Sequence, residues 1–221
     1  RLVGSEMCIR DSSKIDKIMK IGVIDYGASN IFSVARALRF LGADVKIVDA
    51  PEKLKNIDKY VFPGQGSMGS CVKKLKANEM FNPLINEIKS KPFLGICLGL
   101  QILFNSSEED SESGFGLIEG KIRKIKVLDE QNLKIPHMGW NHVSFSKDHN
   151  LFEGIKNNQF FYFVHSYVSY DAKDNIIANT TYGKEFISAL SSENIFATQF
   201  HPEKSGKIGL KLLDNFINWK I

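Results

Sequence analysis

The stretch Phe93-Leu94-Gly95-Ile96-Cys97-Leu98-Gly99-Leu100-Gln101 decides how the chain reads. Four mostly apolar residues, too few for a helix, run straight into a segment of helical periodicity. Phe93–Ile96 is therefore expected as a buried strand and Leu98–Phe104 as the helix that follows. Between them, Gly95-x-Cys97-x-Gly99 has the form of a strand-to-helix elbow with cysteine as the nucleophile in place of serine. A nucleophile on so sharp a turn needs neighbours without side chains, and a helix N-terminus favours its thiolate through the helix dipole. Taken alone, the pentapeptide fits a small buried cysteine at a strand–helix junction equally well.

Outward from this junction the same pattern repeats. Ile21–Asp25, Val45–Val48 and Lys59–Phe62 read as strands, and Asn30–Leu41 as a helix with Ile31, Val34, Ala35, Leu38 and Leu41 on one face until Gly42 stops it. A helical region is expected from there through Ile88, interrupted at Pro83. Beyond it, Gly120–Val127, His142–Phe145, Phe160–Ser169, Ile176–Thr181, Ser188–Ser191 and Phe196–Gln199 are strand-like with few helices between them, which predicts antiparallel additions to the sheet. Ile208–Trp219, with Leu212, Leu213, Phe216 and Ile217 as its apolar stripe, should close the fold as a helix. The class is α/β, with a mostly parallel central sheet flanked by helices.

With 221 residues, 43% hydrophobic and 24% charged, the chain can bury a single sizeable core. Its net charge of +4 is mild and forms no Lys/Arg stripe with interleaved aromatics, so neither nucleic acid nor a membrane is expected as a partner. No apolar run approaches the roughly 18 residues a span requires. Cys8, Cys71 and Cys97 are odd in number and form no C-x-x-C pair, which argues against a disulfide framework and for a reducing, cytoplasmic setting. Cys71 is expected to be inert. The opening Arg1–Lys20 lacks an apolar signal segment, and Met19 stands directly before the first strand. Residues 1–18, Cys8 among them, are therefore read as a tail apart from one domain over 19–221.

His201-Pro202-Glu203 follows the last apolar run and supplies a base and an orienting carboxylate, which in an extended segment lie on one side. Proline between them fixes its own φ. An isolated H-P-E would be a plain strand end; beside a cysteine elbow it reads as chemistry. Pro63-Gly64-Gln65-Gly66 is a glycine-bracketed turn able to aim an N–H at a developing oxyanion, although such turns are common. His137, His142 and His149 lack zinc-site spacing, and no metal or cofactor is expected. His165, in an apolar strand, is read as structural or adjacent to substrate.

Together, P-G-x-G, G-I-C-L-G-x-Q and Q-F-H-P-E in this order resemble the class I glutamine amidotransferases. Pro136-His137-Met138-Gly139-Trp140-Asn141, Tyr162-Phe163-Val164-His165-Ser166-Tyr167 and Gln199-Phe200-His201-Pro202-Glu203-Lys204-Ser205-Gly206 are similar to the glutaminase-subunit family of imidazole glycerol phosphate synthase. The likeness runs from about Lys20 to the C-terminus, and the P-H-M-G-W-N hexapeptide is its specific part. It implies a three-layer α/β fold and a Cys97, His201, Glu203 triad that hydrolyses L-glutamine. The oxyanion donors would be the N–H groups of Leu98 and of the turn at Gln65 and Gly66, the latter after a peptide reorients. Gln101, Glu109, Gly66, Ser166 and Tyr167 match positions that hold the ends of glutamine. Asn30, Met138 and Trp140 would face a (βα)₈-barrel cyclase subunit that consumes the ammonia, although Asn30 reads equally well as a helix N-cap. Other readings are a paralogue feeding a different barrel synthase, a silent scaffold, or a cysteine peptidase. Two positions depart from the family: Gln65 stands where valine is common, and Ser29 where glycine is.

Overall fold

The structure, a computed structural model, describes residues 19–27, 30–127 and 132–221. Cys8, Ser29 and the tail 1–18 lie outside the described residues.

Nine strands form the central sheet. In chain order they are β1 (Lys20–Ile24), β2 (Asp44–Val48), β3 (Lys59–Phe62), β4 (Phe93–Ile96), β7 (His137–Phe145), β8 (Gln159–His165), β10 (Ile176–Tyr182), β11 (Lys184–Ser192) and β12 (Ile195–Thr198). Their spatial order is β2-β1-β3-β4-β12-β11-β10-β7-β8. The first five in that order are parallel, and the remaining four extend the sheet antiparallel from β12. A second, three-stranded sheet joins β5 (Phe104–Ser107), β6 (Ile118–Lys124) and β9 (Tyr167–Ser169).

Helices α1 (Ile31–Phe40), α2 (Met68–Ala77), α3 (Phe81–Ile88), α4 (Leu98–Gln101) and α5 (Gly206–Asn218) complete the fold. Alternation along the central strands feeds two cores. Ile21, Val23, Val61, Leu94, Ile96 and Phe196 pack with α1 and α5, while Ile24, Tyr60, Phe62, Phe93 and Ala197 pack with α2 and α3. The result is three layers, and the loops that carry the candidate chemistry leave the carboxyl ends of parallel strands, as open α/β sheets favour. Lys59, 3% exposed, reaches across the layer boundary and donates to the carbonyls of Phe216, Ile217 and Trp219, capping α5 where its carbonyls lack helical partners.

The strands expected at Gly120–Val127, His142–Phe145 and Ser188–Ser191 run instead over Ile118–Lys124, His137–Phe145 and Lys184–Ser192, and three further differences have a visible physical reason. The helical region before Ile88 breaks at Asn78–Met80, with Glu79 at φ 56°, and not at Pro83. Pro83 sits in the first turn of α3, where its missing N–H has no intrahelical acceptor to lose. The helix expected to reach Phe104 ends at Gln101, because Phe104 leaves to pair with Ile118 in the small sheet. The run expected as one strand over Phe160–Ser169 is two, divided at Ser166: β8 pairs with β7 and β9 pairs with β6 in the other sheet.

Candidate active site

Cys97 occupies the tip of β4 at φ 53°, ψ −100°, a conformation a residue with a side chain adopts only when its surroundings over-determine it. Those surroundings are visible. The Cys97 N–H donates to the Thr198 carbonyl (2.7 Å), tying the turn to β12. A Cβ on Gly95 would strike the Gly99 carbonyl, and one on Gly99 would strike the Phe62 carbonyl of β3. Both glycines are thus required by close backbone approach, and the elbow cannot relax. As first residues of α4, Leu98 and Gly99 present N–H groups that have no helical acceptor.

β12 delivers the second component. Beyond Thr198, the His201 N–H donates to the Tyr162 carbonyl of β8 (2.9 Å), and the Ser205 hydroxyl donates to the His201 carbonyl (2.7 Å) while accepting from the Tyr162 N–H (3.0 Å). The ring is thereby fixed on its backbone before α5 begins. His201 Nδ1 lies 2.8 Å from Glu203 Oε1, both side chains fully buried. Nε2 is buried and makes no hydrogen bond among the described residues. Burial disfavours charge on His201, but the Cys97 sulfur and the Glu203 carboxylate outweigh it and push the imidazole up to about 10. Burial likewise opposes ionisation of Glu203, yet His201 and the Asn30 amide hold its carboxyl below the usual range.

Asn30 immediately precedes α1 but makes no side-chain cap there. It is buried, and its amide donates to Glu203 Oε1 (2.6 Å), so the side chain is turned inward to the carboxylate. Sequence reasoning weighs a cap and an interface and misses this contact, whose partner lies 173 residues away.

A pocket of about 470 Å³ opens over Cys97, within the range that small-molecule sites occupy. Gln65, Gly66, Gln101, Glu109, Ser166 and Tyr167, all expected there, line it, joined by Ser67, Pro136, Val164 and His165. Partial burial raises the Glu109 carboxyl. Gln101 donates to the Tyr167 carbonyl (3.0 Å) and to Gln199 Oε1 (3.3 Å), and Gln199 Nε2 donates to the Cys97 sulfur (3.5 Å). Gln199 is not singled out by sequence. The extended segment expected to set His201 and Glu203 on one side is instead a short 3₁₀ turn over Pro202–Lys204 beyond the end of β12, and it is this turn that brings the carboxylate back to the ring. Below the pocket, His165 Nε2 meets His137 Nδ1 at 3.1 Å, and burial keeps both rings low, His137 at about 4.

At the turn after β3, the Tyr26 hydroxyl accepts from the Gln65 N–H (3.1 Å) and donates to the Gln65 carbonyl (3.2 Å). A Cβ on Gly64 would lie 2.5 Å from Leu98 Cβ and 2.8 Å from the Tyr26 oxygen, so only glycine lets the turn approach the elbow this closely. Met138 and Trp140, on β7 two and four residues beyond Pro136, are 62% and 54% exposed. They are exposed apolar side chains on the strand that follows Pro136, which itself lines the pocket. Cys71 is buried away from it, its thiol pushed up by burial.

Residues 22–219 match the family Glutamine amidotransferase class-I. The chain is 48% identical to the imidazole glycerol phosphate synthase subunit HisH of Methanocaldococcus jannaschii, over 89% of this chain and 98% of that one. It is 42% identical to the subunit of the same name from Nitrosospira multiformis, over 90% and 98%. Among solved structures, PurLQS from Thermotoga maritima superposes with a TM-score of 0.70 at 19% identity, covering 91% of this chain and 98% of that one. A structure described as a glutamine amidotransferase gives 0.69 at 17% identity, over 90% and 97%. These last two show the fold. The strained cysteine with its pocket and the buried histidine–carboxylate pair sit in a chain that belongs to the class I glutamine amidotransferases, in the group of HisH subunits.

Proposed function

We propose that the chain, over residues 19–221, is the glutaminase subunit of imidazole glycerol phosphate synthase, working in the cytoplasm and passing ammonia to a (βα)₈-barrel cyclase subunit in histidine biosynthesis. The observation that carries the reading is Cys97, held at φ 53° under a pocket with room for glutamine, in a chain that also buries the His201–Glu203 pair. In the first half-reaction the Cys97 sulfur, its proton passed to His201, attacks the side-chain amide carbon of glutamine, and the charge on oxygen is met by N–H groups at Leu98 and at the Gln65–Gly66 turn. The C–N bond breaks as the His201 imidazolium gives its proton to the departing nitrogen, leaving a γ-glutamyl thioester and ammonia. In the second, neutral His201 takes a proton from water as its oxygen attacks the thioester; the C–S bond breaks, and glutamate and the thiol are restored. Glu203 holds the imidazole's Nδ1–H throughout, the role of the third member of such triads.

Gln101, Glu109, Ser166 and Tyr167 line the pocket, which supports their orienting the amino-acid end of the substrate. The exposed Met138 and Trp140, on the strand that follows the pocket residue Pro136, support docking of the barrel on that side of the site. The test is ammonia release from glutamine with and without a barrel synthase subunit carrying its ribotide ligand, with Cys97→Ala as control. A Cys97-dependent rate that rises with the liganded partner supports the assignment. A Cys97-dependent rate indifferent to that partner shifts it to a paralogue serving another synthase, and no release under any condition leaves the scaffold reading.

A further inference from the structure

We propose that the Tyr26 hydroxyl is a staple that holds the oxyanion turn in its resting orientation, so that this residue sets how strongly glutaminase activity depends on the partner. The proposal deepens the reading above and rests on it.

The hydroxyl bridges two successive peptide units. It accepts from the N–H of the Gly64–Gln65 peptide at 3.1 Å and donates to the carbonyl of the Gln65–Gly66 peptide at 3.2 Å. The N–H it occupies is the one that the turn would offer to an oxyanion, so a peptide that swings to meet the tetrahedral intermediate must first give up this bond. The ring cannot follow the swing. Tyr26 is 4% exposed and stacks on Phe62 at 5.3 Å with 18° between planes, and Phe62 belongs to β3. The space beside the hydroxyl is also closed, because the Gly64 Cα approaches it so nearly that one added carbon would collide with it. Burial raises the phenol far above its ordinary value. The oxygen therefore keeps its proton at every pH the protein meets and can donate and accept at once. On the far side, Gly66 at φ 96° has nothing within 4 Å of where a Cβ would stand, which leaves the turn room to move once released.

Removing the hydroxyl while keeping the ring lowers the cost of reorienting the turn by roughly one net hydrogen bond, which corresponds to about a tenfold change in the population of the competent state. For Tyr26→Phe the expected outcome is a basal ammonia-release rate about tenfold higher, a rate with the liganded barrel subunit that is nearly unchanged, and a stimulation ratio lower by the same tenfold. KM for glutamine stays constant, since no pocket-lining residue is altered. Hydrogen exchange of the Gln65 amide, followed in protein labelled at glutamine nitrogen and without substrate, should quicken about tenfold in the variant, with a melting temperature lowered by no more than a few degrees. An unaltered stimulation ratio, or equal losses in basal and stimulated rates, would overturn the staple, because the hydroxyl would then be neutral or part of the active arrangement. An unaltered Gln65 exchange rate would overturn it independently of catalysis. If the wild-type protein instead shows no Cys97-dependent release, the underlying glutaminase reading fails, and the staple falls with it.

Discussion

Replacing Asn30 by alanine should slow ammonia release about tenfold with little change in KM, although Asn30 touches neither the pocket nor the sulfur. Glu203 Oε1 receives two donors, His201 Nδ1 at 2.8 Å and Asn30 Nδ2 at 2.6 Å, inside a fully buried pair. A hydrogen bond to a charged group contributes about 1.5–3 kcal/mol, and at about 1.4 kcal/mol per tenfold in rate this sets a ceiling of roughly 10- to 150-fold if the whole contribution is realised in the transition state. Alanine leaves room for water to restore part of it, which places the expectation at the low end. The loss falls on kcat because the pair is needed when His201 carries its proton, not when glutamine binds. The pH dependence gives a second readout. Glu203's folded-state pKa is depressed, so the stability it contributes is present above its unfolded value and lost as pH falls through the folded one. Without the Asn30 donor the folded value rises, and both activity and stability should fail at higher pH than in the parent. Asn30→Asp, which sets a like charge against Glu203, should be worse than alanine. Steady-state glutamate formation with the liganded barrel subunit, measured from about pH 5 to 9 to span the ordinary carboxylate and imidazole ranges, checks the rate and its pH dependence, and urea midpoints over the same range check the stability. If Asn30→Ala keeps kcat within twofold and its acid limb in place, the amide does not position the carboxylate and the reasoning is wrong.

Gly99→Ala should destabilise the fold by more than the usual 1–3 kcal/mol or so of an overpacked core, because the new methyl meets the Phe62 carbonyl and not a flexible side chain; a urea midpoint equal to the parent's would remove the close-approach account of the elbow. Gln199→Leu should cut the rate of Cys97 alkylation by iodoacetamide several-fold at neutral pH, since it deletes the donor at 3.5 Å from the sulfur, and an unchanged rate would show that contact to be idle. Acid should weaken the protein between about pH 6.5 and 4.5: burial holds His137 and His149 at about 4, the unfolded chain therefore binds more protons across this window, and stability falls with pH. At about 1.4 kcal/mol per pKa unit the buried His137 alone accounts for about 3 kcal/mol by about pH 4, with a smaller share from the partly exposed His149. A flat denaturation midpoint over that range would contradict it.

The elements that sequence reading placed correctly are those whose cause is local. β4 announces itself by an apolar run, α1 by an apolar stripe stopped at Gly42, and the elbow by glycines whose necessity is a matter of two neighbouring carbonyls. Where the reading failed, a distant surface decided. Nothing in Leu98–Phe104 says that the helix stops at Gln101; Phe104 is drawn away by Ile118, with which it pairs in the small sheet. Likewise Phe160–Ser169 is uniformly strand-like, and only the presence of β7 on one side and β6 on the other divides it at Ser166. Pro83 misled for the opposite reason, since its effect depends on its place in the helix and not on its presence.

The same division runs through the site. Cys97, the His201–Glu203 pair and the Gln65 turn were legible because each carries its own signature in a few adjacent residues. Tyr26, Asn30 and Gln199 were not, because the partner of each lies far off in sequence: Gln65 at a separation of 39, Glu203 at 173 and Cys97 at 102. Each of these three donates to or grips a group that reacts in the proposed mechanism, and none itself reacts in it. Residues that react must present a particular atom at a particular turn, and that requirement constrains their immediate neighbours. Residues that hold a reacting group need only one hydrogen-bonding atom in the right place, which any strand or loop passing nearby can supply. The proposed chemistry is therefore written in short motifs, while the contacts that hold its groups exist only once the sheet has brought β1, β3, β4 and β12 side by side.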